Sequence, residues 1–134
     1  MKKVLTLSLA ALMLAALLGG CTGRLPDGMD KAKLESLATE VVDLVNARDY
    51  ATLVGMYIDE GPTEDEWPEL LEPYTETYGA FKEYKKISYV TTEDDTYGEL
   101  VTMLVEADYE NIEQIWQVYI TTDYKIAGLR ISKA

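Results

Sequence analysis

Three stretches decide how this chain folds: ELVTMLVEADY at 99–109, IEQIWQVYIT at 112–121 and KIAGLRI at 125–131. Polar and apolar residues alternate through each, the period of a strand with one face buried. Two-residue turns at Glu110-Asn111 and Asp123-Tyr124 would set Val105 opposite Trp116 and Ile131, Met103 opposite Val118 and Leu129, and Val101 opposite Ile120 and Ala127. A slip of one residue would turn every one of these side chains over, so the agreement of three strands supports this register. It sends Val101, Met103, Val105, Trp116, Val118, Ile120, Leu129 and Ile131 inward, as core or pocket lining. Leu100, Leu104, Ile115, Tyr119 and Ile126 point outward as an interface for a second copy or a protein partner. Glu110-Asn111 is not a favoured turn pair.

Working back from these strands, Lys86 to Thr92 reads as a first strand, with Glu93 to Tyr97 as its turn. Before it the apolar period is helical. Asp30 is an N-cap for a helix carrying Leu34, Leu37, Ala38, Val41, Leu44 and Val45 on one face. Residues 46–49 break the pattern, Tyr50 to Ile58 forms a second, shorter helix, and Gly61-Pro62 ends it. Thr63 and Glu66 make a capping box for a third helix bearing Trp67, Leu70, Leu71, Tyr74 and Tyr78, which Pro68 and Pro73 should split or kink. Three N-terminal helices packed on a curved four-stranded antiparallel sheet is an α+β class.

The first twenty residues have another grammar. Lys2 and Lys3 precede an uncharged run from Val4 to Leu18, about 22 Å long as a helix and short of the ~30 Å hydrocarbon core. Leu18, Gly19, Gly20 and Cys21 follow at once. The pattern resembles the lipobox of bacterial lipoproteins, and that resemblance implies cleavage after residue 20, diacylglyceryl modification of Cys21 and an extracytoplasmic protein held to the cell membrane. Two or three acyl chains anchor stably where one does not. The expected organisation is a signal peptide at 1–20, a lipidated cysteine and tether at 21–29, and one domain at 30–134. Cys21 is the only cysteine, so no disulfide supports that domain.

Loss of the signal would remove two of twelve cations and none of 24 acids, leaving a net charge of −14. Such a chain is no candidate for nucleic acid, which needs clustered Lys and Arg. It has no His, so Ser/His and Cys/His nucleophilic sites and the usual zinc ligand sets are excluded, and no Gly-rich phosphate loop is present.

Residues 44–50 (LVNARDY), the run Tyr78-Gly79-Ala80-Phe81 and the stretch 123–129 (DYKIAGL) are similar to a bacterial family of undefined function, domain-of-unknown-function family 3887, within the nuclear-transport-factor-two-like superfamily. The resemblance implies a cone-shaped roll, a sheet wrapped about the first helix, and no particular activity, because function lives in the site and not in the fold. An isomerase- or dehydratase-like enzyme of this fold would need a carboxylate/tyrosine pair in the cone, from Glu40, Asp43, Glu106 or Asp108. A binding or interaction module would need none. No catalytic residue, cofactor or metal ligand is assigned. The acids at 59–66 and 93–95 could attract calcium or simply be solvated. Tyr57, Tyr74, Tyr78 and Tyr89 could form an aromatic ligand cage, or the wet rim of a small core.

Overall fold

The computed structural model describes residues 21–22, 24–58 and 61–133, so the signal segment and the acids Asp59 and Glu60 lie outside the described residues. The elements are β1 (Cys21–Thr22), α1 (Lys31–Ala47), α2 (Tyr50–Met56), α3 (Glu66–Tyr78), β2 (Phe81–Asp94), β3 (Gly98–Tyr109), β4 (Glu113–Thr121) and β5 (Ile126–Lys133). Strands β2 to β5 form an antiparallel meander in chain order, and β1 adds two residues in parallel on the β2 edge. The chain is therefore α+β. Its helices precede the four-stranded meander but do not open the chain, since α1 begins only at Lys31, after β1.

Asp30 caps α1, accepting the Lys33 amide at 3.1 Å. The helix stops at Arg48, which adopts the left-handed conformation (φ 58°). Arg48 N–H donates to the Val45 carbonyl and Asp49 N–H to that of Leu44, the paired bonds of a Schellman cap. Asp49 then caps α2 by accepting the Thr52 amide at 3.3 Å. A break in sequence period is thus a stop and a start in succession. At the head of α3, Glu66 accepts the Thr63 amide at 2.9 Å. The two prolines do not split this helix, which runs from Glu66 to Tyr78. Pro68 sits in the first turn, where an N–H has no helical partner in any case, and Pro73 forgoes one bond.

In the sheet, Val105 pairs with Trp116 and Trp116 with Ile131, Met103 with Val118 and Val118 with Leu129. The last hairpin departs from expectation. Thr121 and Lys125 close a loop of three residues, not two, with Tyr124 at φ 64°. A bulge at Ala127 compensates, so that Ile120 pairs with Ile126 while Tyr119 still pairs with Gly128. The extra loop residue and the bulge together turn Ile126 inward, where it is fully buried, correcting its outward assignment. Leu100 keeps its outward parity yet is also buried. Strand β2 is twice as long as expected, with irregularities at Lys82 and Lys85.

The unfavourable turn pair Glu110-Asn111 is held from outside the hairpin. Glu110 N–H donates to the Ala80 carbonyl and Asn111 N–H to that of Tyr78, while the Asn111 amide group reaches the Thr77 carbonyl at 3.1 Å. The turn thereby supplies donors to the end of α3. Gly79 permits this approach: its φ is 79°, and a Cβ there would stand 2.7 Å from Cβ of Glu110.

Leu34, Ala38, Val41, Val42 and Val45 of α1 meet Val101, Met103, Val105, Trp116, Val118 and Ile120 in one core. Residues expected as a tether lie on the domain: Thr91 donates to the Arg24 carbonyl, and Leu25 and Met29 pack on the core. At the helix cap that follows, the Asp30 amide donates to the Tyr124 hydroxyl at 2.8 Å.

Candidate ligand-binding cleft

Helix α3 carries two apolar stripes. Trp67, Leu71 and Tyr78 are buried, whereas Leu70 and Tyr74 are 52% and 54% exposed. Beneath the helix, between it and the β4–β5 side of the sheet, lies a cleft of about 550 Å³, within the usual size of small-molecule sites. Its floor is Gln114, Leu129 and Ile131, its wall Trp67, Leu71 and Tyr78, and its rim Leu70, Tyr74 and Ile112. Tyr57 and Pro62 close one end. The Tyr57 ring packs edge-on against Trp67 at 5.1 Å and lies so close to Gly61 that a side chain there would collide with it.

Two polar atoms of this lining have no protein partner. Trp67 is 2% exposed and its Nε1 donates to nothing, while Gln114 is 4% exposed and its Oε1 accepts nothing. Buried polar groups are nearly always paired. Asn46 Nδ2, Tyr50 Oη and Thr75 Oγ1 are further exceptions among the described residues, but Trp67 and Gln114 bring a donor and an acceptor to one predominantly apolar cleft. The other tryptophan is unlike Trp67: Nε1 of Trp116 donates to the Tyr109 hydroxyl at 3.1 Å, and that hydroxyl donates to Asn46 Oδ1 at 2.7 Å.

No carboxylate belongs to the cleft lining. Burial, and then Tyr97, raise the Tyr57 phenol to about 12, and burial, then Tyr109 and Tyr74, raise that of Tyr78 to about 12. Both stay neutral phenols at physiological pH. Asp43 is exposed and accepts the hydroxyl of Tyr84, a phenol that burial and then this bond push far above its usual range. Glu40 is exposed on α1, and Glu106 and Asp108 stand on the outward-facing side of β3. None of the four lines the cleft. Among the described residues no three acids gather to hold a metal ion, and Asp94 of the loop cluster accepts the amides of Thr96 and Tyr97.

Of the eight inward candidates only Leu129 and Ile131 reach the cleft. Val101, Met103, Val105, Trp116, Val118 and Ile120 are fully buried and do not line the cleft, which lies beside them under α3. Of the outward candidates, Leu104, Ile115 and Tyr119 are half-buried, and the Tyr119 ring lies on Gly128, within 2.9 Å of where a Cβ would stand. Tyr57, Tyr74 and Tyr78 converge at the cleft, whereas Tyr89 sits on β2 and takes no part in it. Sequence reasoning missed Gln114. The signal was there, since Gln114 shares the inward parity of Trp116, Val118 and Ile120 as the one polar member.

No family model matches the chain, and no curated protein does. Among solved structures it is similar to one described as "NMR structure of protein from Ruminococcus gnavus ATCC 29149", with a TM-score of 0.67 and 21% identity over 80% of this chain and 95% of that one. At this identity the likeness concerns the fold alone.

Proposed function

We propose that this chain is a lipid-anchored, extracytoplasmic binding module that takes a small uncharged ligand into the cleft under α3. The observation that carries the binding reading is the coincidence of two buried, unpartnered polar atoms, Trp67 Nε1 and Gln114 Oε1, in the lining of one apolar cleft. A ligand that pairs them would remove two desolvation penalties. Membership of the nuclear-transport-factor-two-like superfamily, as a relative of domain-of-unknown-function family 3887, is part of the proposal. It is supported by three helices on one face of a meander with a long, twice-bulged first strand.

The anchor reading is supported by the Leu18-Gly19-Gly20-Cys21 run. Cys21 pairs at the β2 edge and β5 is the opposite edge, about 19 Å away across four strand spacings. An acyl group at Cys21 would leave the cleft on the side remote from its attachment.

Two measurements test the parts separately. Cys21→Ser should abolish incorporation of labelled fatty acid and partition into detergent, and a variant that labels like wild type refutes the anchor. In a Trp116→Phe chain, where Trp67 is the remaining indole, uncharged fragments such as benzamide should change the fluorescence saturably. A spectrum unmoved by a panel of neutral fragments at millimolar concentration refutes the site.

A further inference from the structure

We propose that the ligand class of this cleft is a neutral secondary amide with an apolar group on each side, the chemistry of a blocked apolar peptide. The inference rests on the binding reading above and sharpens it. Trp67 offers a donor and Gln114 an acceptor, neither partnered within the protein. A –CO–NH– group carries the complementary pair, an acceptor for the indole and a donor for the carboxamide. A bare acyl chain would fill the apolar volume and leave both atoms buried and unpaired, the outcome folded proteins avoid.

Charge argues the same way. The lining contains no acid, and its one cation, Arg130, is exposed at the mouth. An ionised group carried to the floor would lose its water without gaining a counter-ion. The ligand is therefore neutral where it meets Trp67 and Gln114.

Shape supplies the flanks. The cleft follows α3 from Trp67 to Thr77, about 15 Å at the helical rise, the reach of four extended residues. Apolar side chains stand at both ends, Tyr57 and Leu71 at one, Tyr78 and Ile112 at the other. Leu70, Tyr74 and Ile112 are three of the four exposed large apolar side chains among the described residues, and all three border this cleft. The two unpartnered atoms are themselves buried. Binding therefore displaces rim side chains, and those of Leu70 and Tyr74, more than half in solvent, are free to move.

The test uses the full chain carrying Cys21→Ser, labelled with ¹⁵N, and reads the two indole N–H signals separately. The probe is N-acetyl-leucyl-leucine N-methylamide, with dodecanoate and decanol as comparators. The amide should shift the Trp67 signal saturably and leave that of Trp116 in place, and Gln114→Leu should weaken its binding at least tenfold. The undisturbed Trp116 signal in that variant shows that the core is intact. Binding of dodecanoate or decanol as tight as that of the amide, or amide affinity unchanged by Gln114→Leu, overturns the inference. If decanol shifts Trp67 and the amide does not, the cleft remains a binding site and the amide assignment falls. If none of the three moves it, both fall.

Discussion

The two tryptophans are almost equally buried, 0% and 2% exposed, and have opposite surroundings. Trp116 sits mid-strand, fully buried in the core, its indole N–H donated to Tyr109, whose hydroxyl donates to Asn46, so that β4, β3 and α1 are joined by one hydrogen-bonded chain. Trp67 sits in the first turn of α3 beside the cleft, with an aromatic neighbour and no acceptor. The difference separates residues that specify the fold from residues held ready for something else. The bonds from Trp116 through Tyr109 to Asn46 tie three elements of the core together, whereas an unpartnered donor beside a cleft is a penalty that a ligand can remove.

The contrast breaks most readily at Trp116. Trp116→Ala should destabilise the domain by about 3–5 kcal/mol, enough to lose a cooperative melt near 37 °C. A shift of a degree or two would mean that Trp116 is not core. A gentler pair sharpens the same point. Trp116→Phe removes a made hydrogen bond and leaves the Tyr109 hydroxyl oxygen without its donor, so denaturant unfolding should show a loss of about 1–2 kcal/mol beyond the lost volume. Trp67→Phe removes no hydrogen bond at all and should cost less by about that difference. Equal losses in the two variants would erase the distinction.

Much of the core side was legible in the residues and little of the cleft side was. Alternation in β3 and β4 specifies their register because one face of the pair is almost wholly apolar while the other is mixed. The last hairpin defeated the same reasoning at Ile126, since the loop gains one residue and β5 gains one bulge, two local events that cancel at Gly128 and so leave no trace in the distant pattern. The turn at Glu110-Asn111 is placed by the register of its strands and not by its own residues, because its support comes from Tyr78 and Ala80, about thirty residues earlier. The cleft depends on where α3 lies over the sheet, a tertiary matter. Only the wrong-polarity residue Gln114 on an apolar face betrayed it.

Two phenols give a pH test of how the cleft wall is buried. Tyr57 and Tyr78 have folded values near 12 against an ordinary value near 10, so the folded state holds their protons more tightly. Their contribution is complete below pH 10 and is lost as pH rises from 10 to 12. Urea midpoints should fall over that interval, and ultraviolet titration should show late-ionising tyrosines. A midpoint that rises through this range would contradict the burial of both rings.

The smallest effect is the most direct test. Gln114→Leu replaces a buried, unpartnered acceptor by an apolar side chain of similar size among Leu129, Ile131 and Trp67. If Gln114 is kept for a ligand, the fold has no use for its carboxamide oxygen, and the unliganded variant should be as stable as wild type or more stable by roughly 0.5–2 kcal/mol. Measured by thermal melting without ligand, the account predicts a Tm equal to or a few degrees above wild type. A Tm several degrees lower would show that Gln114 supports the fold and contradict its assignment to the site.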